Sequence, residues 1–310
     1  MPLETIIRPM AEQDLDEADG VMRLAFGTEF GLPDPARFMG DAKLLCPRWR
    51  TNPAGCLVAQ AGAAVIGSVA VMDWGSVAVL GPLSVHPARW NQGLARRLLE
   101  AALATTPARL VALYTQPGSP RHLRLYEDAG FATRHLIAVM AKPVAPATAA
   151  PDFLLFSQQR PEQQAEALAA CREISNATFA GLDLSREIRA TTEQGSGDTL
   201  LLRSGNATTG FALCQEGAGS EAGSGTLAVK FGAVRPGDAA AFQDLLAAAE
   251  ALASRRGARR LQASVTHARR AAYARMKAAG FRTELSGIAM VRPEGLGYDA
   301  PESFLVEEWR

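Results

Sequence analysis

The fold is decided by the stretch from Val85 to Leu99, which reads VHPARWNQGLARRLL. An apolar run ends there at a proline, a short polar loop with one glycine follows, and the loop opens directly onto an amphipathic helix. The first backbone N–H groups of a helix have no partner within the helix, and the helix dipole adds positive potential at that end. The stretch therefore predicts a binding site for an anionic group such as a pyrophosphate.

Apolar runs and their breaks predict the elements on either side of this stretch. Runs rich in β-branched residues between Gly and Asp turns are typical of strands, and acids ahead of an apolar stripe are typical of a helix start. In chain order the predictions are a strand at 5–8, a helix at 14–26, a helix with loops over 31–52 that suits a substrate pocket, strands at 56–59, 65–72 and 77–85, a helix at 93–104, a strand at 110–115, a helix at 120–129 and a strand at 135–140.

The same order returns after residue 152. Ala129-Gly130-Phe131 matches Ala279-Gly280-Phe281 at an offset of 150 residues, and such long-period similarity indicates a duplicated domain, chance in an Ala-rich chain being the alternative. The predicted elements are strands at 153–156, 199–202, 210–215, 227–234 and 261–265, helices at 161–174, 238–255 and 269–279, and a mobile Gly/Ser/Ala loop over 216–225.

The stretch from Lys142 to Pro151 has three prolines among small residues and is typical of an interdomain linker. We therefore predict a first domain at 1–143, a linker at 144–151 and a second domain with a C-terminal tail at 152–310. The second copy has Phe242 where the first has Gly93, Asp244 where it has Ala95, and Met276 where it has Tyr126. An Asp at the start of the helix would repel a phosphate, so the second copy is predicted to be degenerate.

The composition argues against some classes of binding partner. The formal net charge is zero and 21% of residues are charged, which argues against nucleic-acid or anionic-membrane binding. The four cysteines form no C-x-x-C pair, so we expect neither a metal site nor a disulfide framework, and a reducing cytoplasm fits best. The first residues lack the basic and apolar segments of a signal peptide.

A second motif lies about 30 residues after the first, at Ser119-Pro120-Arg121-His122-Leu123-Arg124-Leu125-Tyr126-Glu127-Asp128-Ala129-Gly130-Phe131. The pair resembles the coenzyme-A-binding motifs of the GNAT superfamily of N-acyltransferases. The family loop R/Q-x-x-G-x-G/A corresponds to Trp90-Asn91-Gln92-Gly93-Leu94-Ala95, with Trp90 in place of the usual Arg or Gln. The resemblance implies an α/β (α+β) fold of two tandem domains, each a splayed, mixed, mostly antiparallel sheet flanked by helices.

Site residues follow from this resemblance. Acetyl-CoA is the implied cofactor, with its pantetheine arm between two diverging central strands. Small residues in the loop allow the backbone to approach the phosphate oxygens. The implied contacts are Leu83, Ser84 and Val85 of a bulged strand, Asn91, Gln92, Gly93, Leu94, Ala95 and Arg96 of the loop and helix, and Ser119 and Tyr126 of the second motif. Arg97 is a further candidate for the phosphates, and Ser119 either contacts the pantetheine or caps its helix.

Tyr126 is the predicted catalytic residue, because the leaving thiolate needs a proton donor. The alternative is that Tyr126 packs with Leu123 and Phe131. His122, one turn earlier, is a further candidate, either to tune the phenol or to relay a proton, the alternative being a surface or packing residue. The general base stays open among His86, Asp73, Glu29, Asp34 and a carboxylate of the second half.

These residues predict a cytoplasmic N-acetyltransferase that moves an acetyl group from acetyl-CoA to a small amine by direct attack in a ternary complex. The second half would complete the acceptor pocket or stabilise the first. The alternatives are a non-catalytic acyl-CoA-binding sensor or scaffold, and a second half that recognises an acceptor protein. The sequence leaves the acceptor, the acyl-chain length and the oligomeric state open.

Overall fold

A computed structural model describes residues 4–145, 150–295 and 297–310. The first half begins with a short strand at the edge of the sheet and ends with a long strand after the second motif. Its elements are β1 (Thr5–Pro9), α1 (Leu15–Glu29), α2 (Leu45–Thr51), β2 (Cys56–Ala61), β3 (Ala64–Trp74), β4 (Val77–Val85), α3 (Leu94–Leu103), β5 (Leu110–Thr115), α4 (Pro120–Asp128) and β6 (Ala132–Pro143).

The second half repeats this order element for element and adds one strand at its end. Its elements are β7 (Phe153–Leu155), α5 (Pro161–Thr178), α6 (Ser185–Glu193), β8 (Gly197–Ser204), β9 (Ala207–Gly217), β10 (Gly223–Val234), α7 (Ala239–Arg255), β11 (Arg260–Thr266), α8 (Arg270–Ala278), β12 (Arg282–Arg292) and β13 (Leu305–Glu307). The predicted strands and helices are all present, with several strands longer than expected. Helix α6, the counterpart of α2, and the added strand β13 were not among the predicted elements.

The strands join into one 13-stranded sheet, and the two halves exchange their last strands within it. Along the sheet the order runs β1-β2-β3-β4-β5-β12-β6-β11-β10-β9-β8-β7, with β13 paired to β10. Strand β12 of the second half lies between β5 and β6 of the first, and β6 pairs with β11 of the second half. The backbone hydrogen bonds of these strands therefore tie the halves together.

Each half contains a pair of parallel strands that separate part-way along. Pairing between β4 and β5 ends at Val79 and Ala112, and pairing between β10 and β11 ends at Val229 and Ala263. In the second half the gap is filled, because β13 pairs antiparallel with Phe231–Ala233 of β10. In the first half the gap opens onto a cavity.

Apolar layers form on both faces of the sheet. Helix α3 packs Leu94, Leu98 and Leu99 against the strands of the first half, and α7 packs Phe242 and Leu245 against those of the second. A central cluster joins Trp74 of β3, Phe231 of β10 and Trp309 near the end of the chain. This shared core crosses between the halves.

Two predictions about chain organisation have different outcomes. The domain limits at 143 and 152 stay predictions, and residues 146–149 of the expected linker lie outside the described residues. The expected mobile loop over 216–225 is wrong in extent, because β9 and β10 reach to Gly217 and Gly223. The remaining turn packs against the first half, where Lys43 N donates to Ser220 O at 2.9 Å.

None of the described helices is long and apolar enough to cross a membrane. All four cysteines are free, and within the described ranges no group of three or more His, Cys, Asp or Glu side chains is placed to hold a metal ion.

Candidate active site

The loop between β4 and α3 presents free backbone N–H groups to solvent. Gly93 is the N-cap of α3 with φ +76°, and Asn91 has φ +62°, so both adopt the left-handed conformation that turns the chain sharply into the helix. The N–H groups of residues 91–96 have no hydrogen-bond acceptor among the described residues. No atom lies within 4 Å of the position a Cβ would take at Gly93. This concave, open backbone is suited to a diphosphate.

The strand before this loop carries the predicted bulge. Its register against β3 shifts between Leu80 and Leu83, which places Gly81 and Pro82 opposite a single residue. A bulge of this kind interrupts ladder pairing and re-aims the backbone. Ser84 is buried with its Oγ 2.9 Å from the Oγ of Ser68, so its hydroxyl serves packing.

A cavity of about 590 Å³ starts at this loop and runs between the diverging strands. Most of the predicted coenzyme-binding residues line it: Leu83, Ser84, Val85, Asn91, Gly93, Leu94, Ala95, Arg96 and Tyr126. Two do not. Gln92 is exposed and turned back to Ala88 O, and Ser119 is the buried N-cap residue of α4, without a side-chain capping hydrogen bond. The expected capping role of Ser119 is therefore wrong.

The basic side chains around the loop point in different directions. Arg96 is exposed beside Asp128, at 3.4 Å, and Arg121 lies 4.9 Å from the centre of the Trp90 ring, over its face. Arg97 points away from the cavity and donates to Thr5 O at 2.8 Å, so it is not placed for the phosphates. Trp90, which replaces the usual Arg or Gln, donates its indole N–H to Val85 O at 2.7 Å and braces the loop against β4.

Tyr126 lies on α4 and lines the cavity. Its ring also packs edge-on to Phe131, with centroids 6.0 Å apart, so the packing alternative and the catalytic position are compatible. Burial raises the pKa of Tyr126 to about 12. The phenol therefore stays protonated over the physiological range and can donate a hydrogen bond, but full proton transfer to a thiolate is less favourable than for an exposed tyrosine.

The structure reduces the number of candidates for the general base. His86 accepts from Ala88 N at 3.2 Å and Asp73 pairs with Arg186 at 3.1 Å, and neither lines the cavity. Asp34 is exposed and lies outside the lining as well. Glu29 does line it, with its carboxylate 3.0 Å from Arg121.

His122 lines the cavity one turn before Tyr126. Its imidazole has no hydrogen-bond or ion-pair partner in the part of the chain that is described. Burial lowers the pKa of His122, so the ring is neutral at pH 7.

The inner end of the cavity holds charged residues from both halves. Arg48 of α2 donates to Gly81 O at 2.7 Å and to the carboxylate of Glu221 at 2.7 Å. The other oxygen of Glu221 accepts from Lys230 of β10, also at 2.7 Å. Burial opposes the charged carboxylate, but the attraction of Arg48 and Lys230 outweighs it and holds the pKa of Glu221 at about 2. This ion-pair chain fixes the second half against the bulge of β4.

The C-terminal segment completes that end. Beyond β13, Arg310 makes a two-point ion pair with Glu308, with distances of 2.8 and 2.7 Å, and Trp309 is buried beside them. All three line the cavity. The prediction left open a carboxylate from the second half, and the structure brings two, Glu221 and Glu308, into the lining.

Sequence reasoning missed these inner residues because they are far apart in the chain. One signal was available: Lys230 interrupts the apolar run LAVKFGAV, and a lysine inside a buried strand needs a carboxylate partner.

The equivalent place in the second half is closed. Phe242 occupies the position of Gly93 and packs on Phe304 with ring centroids 5.4 Å apart. Asp238 caps the helix by accepting from Ala241 N, and Met276 is fully buried where the first half has Tyr126. With β13 in the strand gap, the described residues of this half fill the place that the cavity occupies in the first half.

The family comparison also distinguishes the first half of the chain from the second. Residues 22–131 match the model of the acetyltransferase (GNAT) family. This part of the chain is similar to GNAT acetyltransferase domains. The matched residues run from within α1 to just past α4 and include the loop of Gly93 and the helix of Tyr126.

Solved structures with the same fold cover nearly the whole chain. A candidate acetyltransferase from Pyrococcus horikoshii is similar with a TM-score of 0.70 and 15% identity over 98% of this chain and 95% of that one. A GCN5-related N-acetyltransferase from Sphaerobacter thermophilus is similar with a TM-score of 0.59 and 18% identity over 93% and 95%. No curated protein sequence matches the chain significantly. The GNAT fold therefore extends beyond the matched residues.

Proposed function

We propose that the chain transfers an acetyl group from acetyl-CoA to a small amine. One observation carries the proposal: the free N–H groups of residues 91–96 open onto a cavity that runs between β4 and β5 past Tyr126. A plain strand–loop–helix junction needs no such cavity. The coenzyme fits this site because Gly93 and Ala95 leave the loop backbone accessible to phosphate oxygens.

The thioester supplies an acyl group activated toward amines. The backbone of Leu83, Ser84 and Val85 directly follows the bulge, and we expect an N–H of this stretch to donate to the acyl oxygen as negative charge develops there. The Tyr126 hydroxyl donates a hydrogen bond to the departing sulfur, and its raised pKa ensures that the proton is present. His122, neutral and without a partner among the described residues, accepts the proton of the amine directly or through water.

Direct attack in a ternary complex is favoured over a covalent enzyme intermediate. No cysteine is among the residues that line the described cavity. The one serine nearest the loop, Ser84, is occupied by Ser68. The described lining thus has no cysteine thiol, and its serine hydroxyl is already hydrogen-bonded to another serine.

We further propose a cytoplasmic location and a small-molecule partner in preference to nucleic acid or a membrane. The zero net charge and the free cysteines support this.

The test is turnover of acetyl-CoA over a panel of primary amines, followed by release of the free thiol, for the wild type, Tyr126→Phe and the matched control Tyr273→Phe. We expect Tyr126→Phe to lower kcat at least about 10-fold while the Kd for acetyl-CoA stays unchanged. Tyr273 packs beside His267 in the second half, so its variant should keep full activity. Tight coenzyme binding without turnover of any amine would instead favour the non-catalytic sensor.

A further inference from the structure

The carbonyl of Gly81 lies within the bulge of β4, where the strand ladder is interrupted. The register against β3 passes from Leu80 directly to Leu83, and the pairing of β4 with β5 ends at Val79. Gly81 is buried with φ +151°, and glycine has no side chain to restrict its backbone. A buried carbonyl in such a place needs a donor from another element, and that donor also fixes the direction of the peptide group.

The side chain of Arg48 supplies this donor. Its Nη1 donates to Gly81 O at 2.7 Å, and the side chain is 1% exposed. Its Nη2 donates to the carboxylate of Glu221 at 2.7 Å and to the backbone oxygen of Arg310 at 2.6 Å. Because the guanidinium is planar and rigid, the two acceptors at Nη2 determine the direction in which Nη1 points. The conformation of the bulge is therefore held from outside β4.

Residues of the second half hold the carboxylate that orients this guanidinium. Lys230 donates to Glu221 at 2.7 Å and to Glu187 at 2.9 Å, and all three side chains are buried. The segment that follows Glu221 is bound to the first half, since Ser224 N donates to Asp41 Oδ1 at 3.0 Å. Charge-assisted hydrogen bonds among buried groups restrict geometry more than exposed ion pairs do. The position of the guanidinium is thus set by both halves.

The bulge in turn sets the direction of the next backbone donors. Pro82 has no N–H, so the N–H of Leu83 is the first backbone donor after Gly81. Because the proline ring fixes φ, a rotation of the Gly81 peptide group is passed on to the N–H of Leu83. Leu83, Ser84 and Val85 line the cavity. A displacement of about 1 Å in such a donor can lower a rate about 100-fold.

We propose that Arg48 is a positioning residue for acetyl transfer: by holding the Gly81 carbonyl, it directs the N–H of Leu83 toward the acyl oxygen of the thioester. The inference rests on the proposed function. Arg48 makes and breaks no bond in the reaction and acts through the backbone of β4. Because Glu221 and Lys230 orient Arg48, the second half contributes to the reaction of the first by fixing this geometry.

The experiment measures the carbonyl of bound acetyl-CoA with no amine present. Acetyl-CoA labelled with 13C at the thioester carbonyl is bound to the full chain, and infrared difference spectroscopy gives the stretching frequency of that carbonyl. A hydrogen bond to the oxygen polarises the carbonyl and lowers the frequency. We expect the wild type to lower it relative to free acetyl-CoA. Arg48→Met should return it to the free value while the Kd for acetyl-CoA stays within about two-fold.

Turnover gives a second readout. Arg48→Met should lower kcat at least about 10-fold and leave the KM of the amine within about two-fold, because the donor acts on charge that develops in the transition state. The matched control is Arg97→Met. Arg97 also donates to a strand carbonyl, Thr5 O at 2.8 Å, but points away from the cavity. The control should change neither the carbonyl frequency nor kcat.

Arg48→Lys is a second variant in case Arg48→Met does not fold. Its ammonium keeps a positive charge beside Glu221, but one nitrogen on a flexible stem does not provide the rigid fork that holds Gly81 O and Glu221 together. Circular dichroism and the thermal midpoint show which variants are folded. We expect Arg48→Lys to be folded and to lose the frequency shift as well.

Three results would overturn the inference. They are a folded Arg48 variant that keeps the lowered frequency, a wild type whose bound acetyl-CoA has the free frequency, and a loss of the shift only together with coenzyme affinity. If acetyl-CoA does not bind the wild type, the proposed function fails and the inference fails with it. If the shift depends on Arg48 but no amine is acetylated, the positioning role is supported and the proposed transferase activity fails.

Discussion

The effect of Glu221→Gln on the free energy of unfolding follows directly from the contacts of this carboxylate. The carboxylate is 7% exposed and lies 2.7 Å from both Arg48 and Lys230, one cation from each half. Those cations lower the pKa of Glu221 from 4.5 to about 2 against the effect of burial. A difference of that size between folded and unfolded chains corresponds to about 3 kcal/mol of stability at pH 7.

The direction of the pKa shift determines how this stability contribution changes with pH. A group whose folded pKa is depressed contributes its full stability above the unfolded value of 4.5 and loses it as the pH falls toward about 2. At pH 3 we expect about 1 kcal/mol to remain. The gap between wild type and Glu221→Gln should therefore narrow from about 3 kcal/mol at pH 7 to about 1 kcal/mol at pH 3.

Urea unfolding at both pH values measures this gap, with Glu173→Gln as the matched control. Glu173 pairs with Arg235 at 2.8 Å, but its side chain is 65% exposed, so its removal should cost at most about 1 kcal/mol. A loss below about 1 kcal/mol for Glu221→Gln at pH 7, or a gap that does not change with pH, would refute the proposed role of the ion-pair chain.

Other substitutions test the site directly. Ala95→Asp should weaken acetyl-CoA binding at least about 10-fold without lowering the thermal midpoint, since an acid suits the helix start but repels phosphate; calorimetry measures it. The pH profile of kcat/KM should have an ascending limb below pH 6.5 that disappears in His122→Gln, because burial lowers the pKa of His122. Gly287→Val should cost about 1–3 kcal/mol in urea unfolding, as a Cβ there would lie 2.2 Å from the Tyr114 ring. N-ethylmaleimide should label native protein at Cys46 alone, because the other cysteines are buried, as mass spectrometry can show.

Local features were accessible from the sequence. The loop before α3 depends on residues close in the chain, whose types restrict the backbone there, and the bulge of β4 was implied by the family resemblance. The repeat order was accessible as well, because each copy carries its own alternation of apolar runs. The directions of the Arg97 and Gln92 side chains could not be predicted, because consecutive residues at the beginning of a helix face different surfaces.

The pairing of strands that are distant in the chain could not be predicted from the sequence, for a physical reason. Whether β12 completes its own half or the other depends on relative pairing energies of strands with similar apolar patterns, and no short segment encodes that choice. The same holds for β13, a short strand whose partner β10 lies about 75 residues earlier.

By itself the sequence predicted where a diphosphate would bind and that the second copy would not bind one, because a helix start, small residues and an acid act over a few ångströms. The tertiary structure alone decided which residues line the inner end of the cavity. Its inner wall is assembled from Arg48, Glu221, Lys230 and Trp309, and their charges and hydrogen bonds act only once the exchanged strands bring the two halves together.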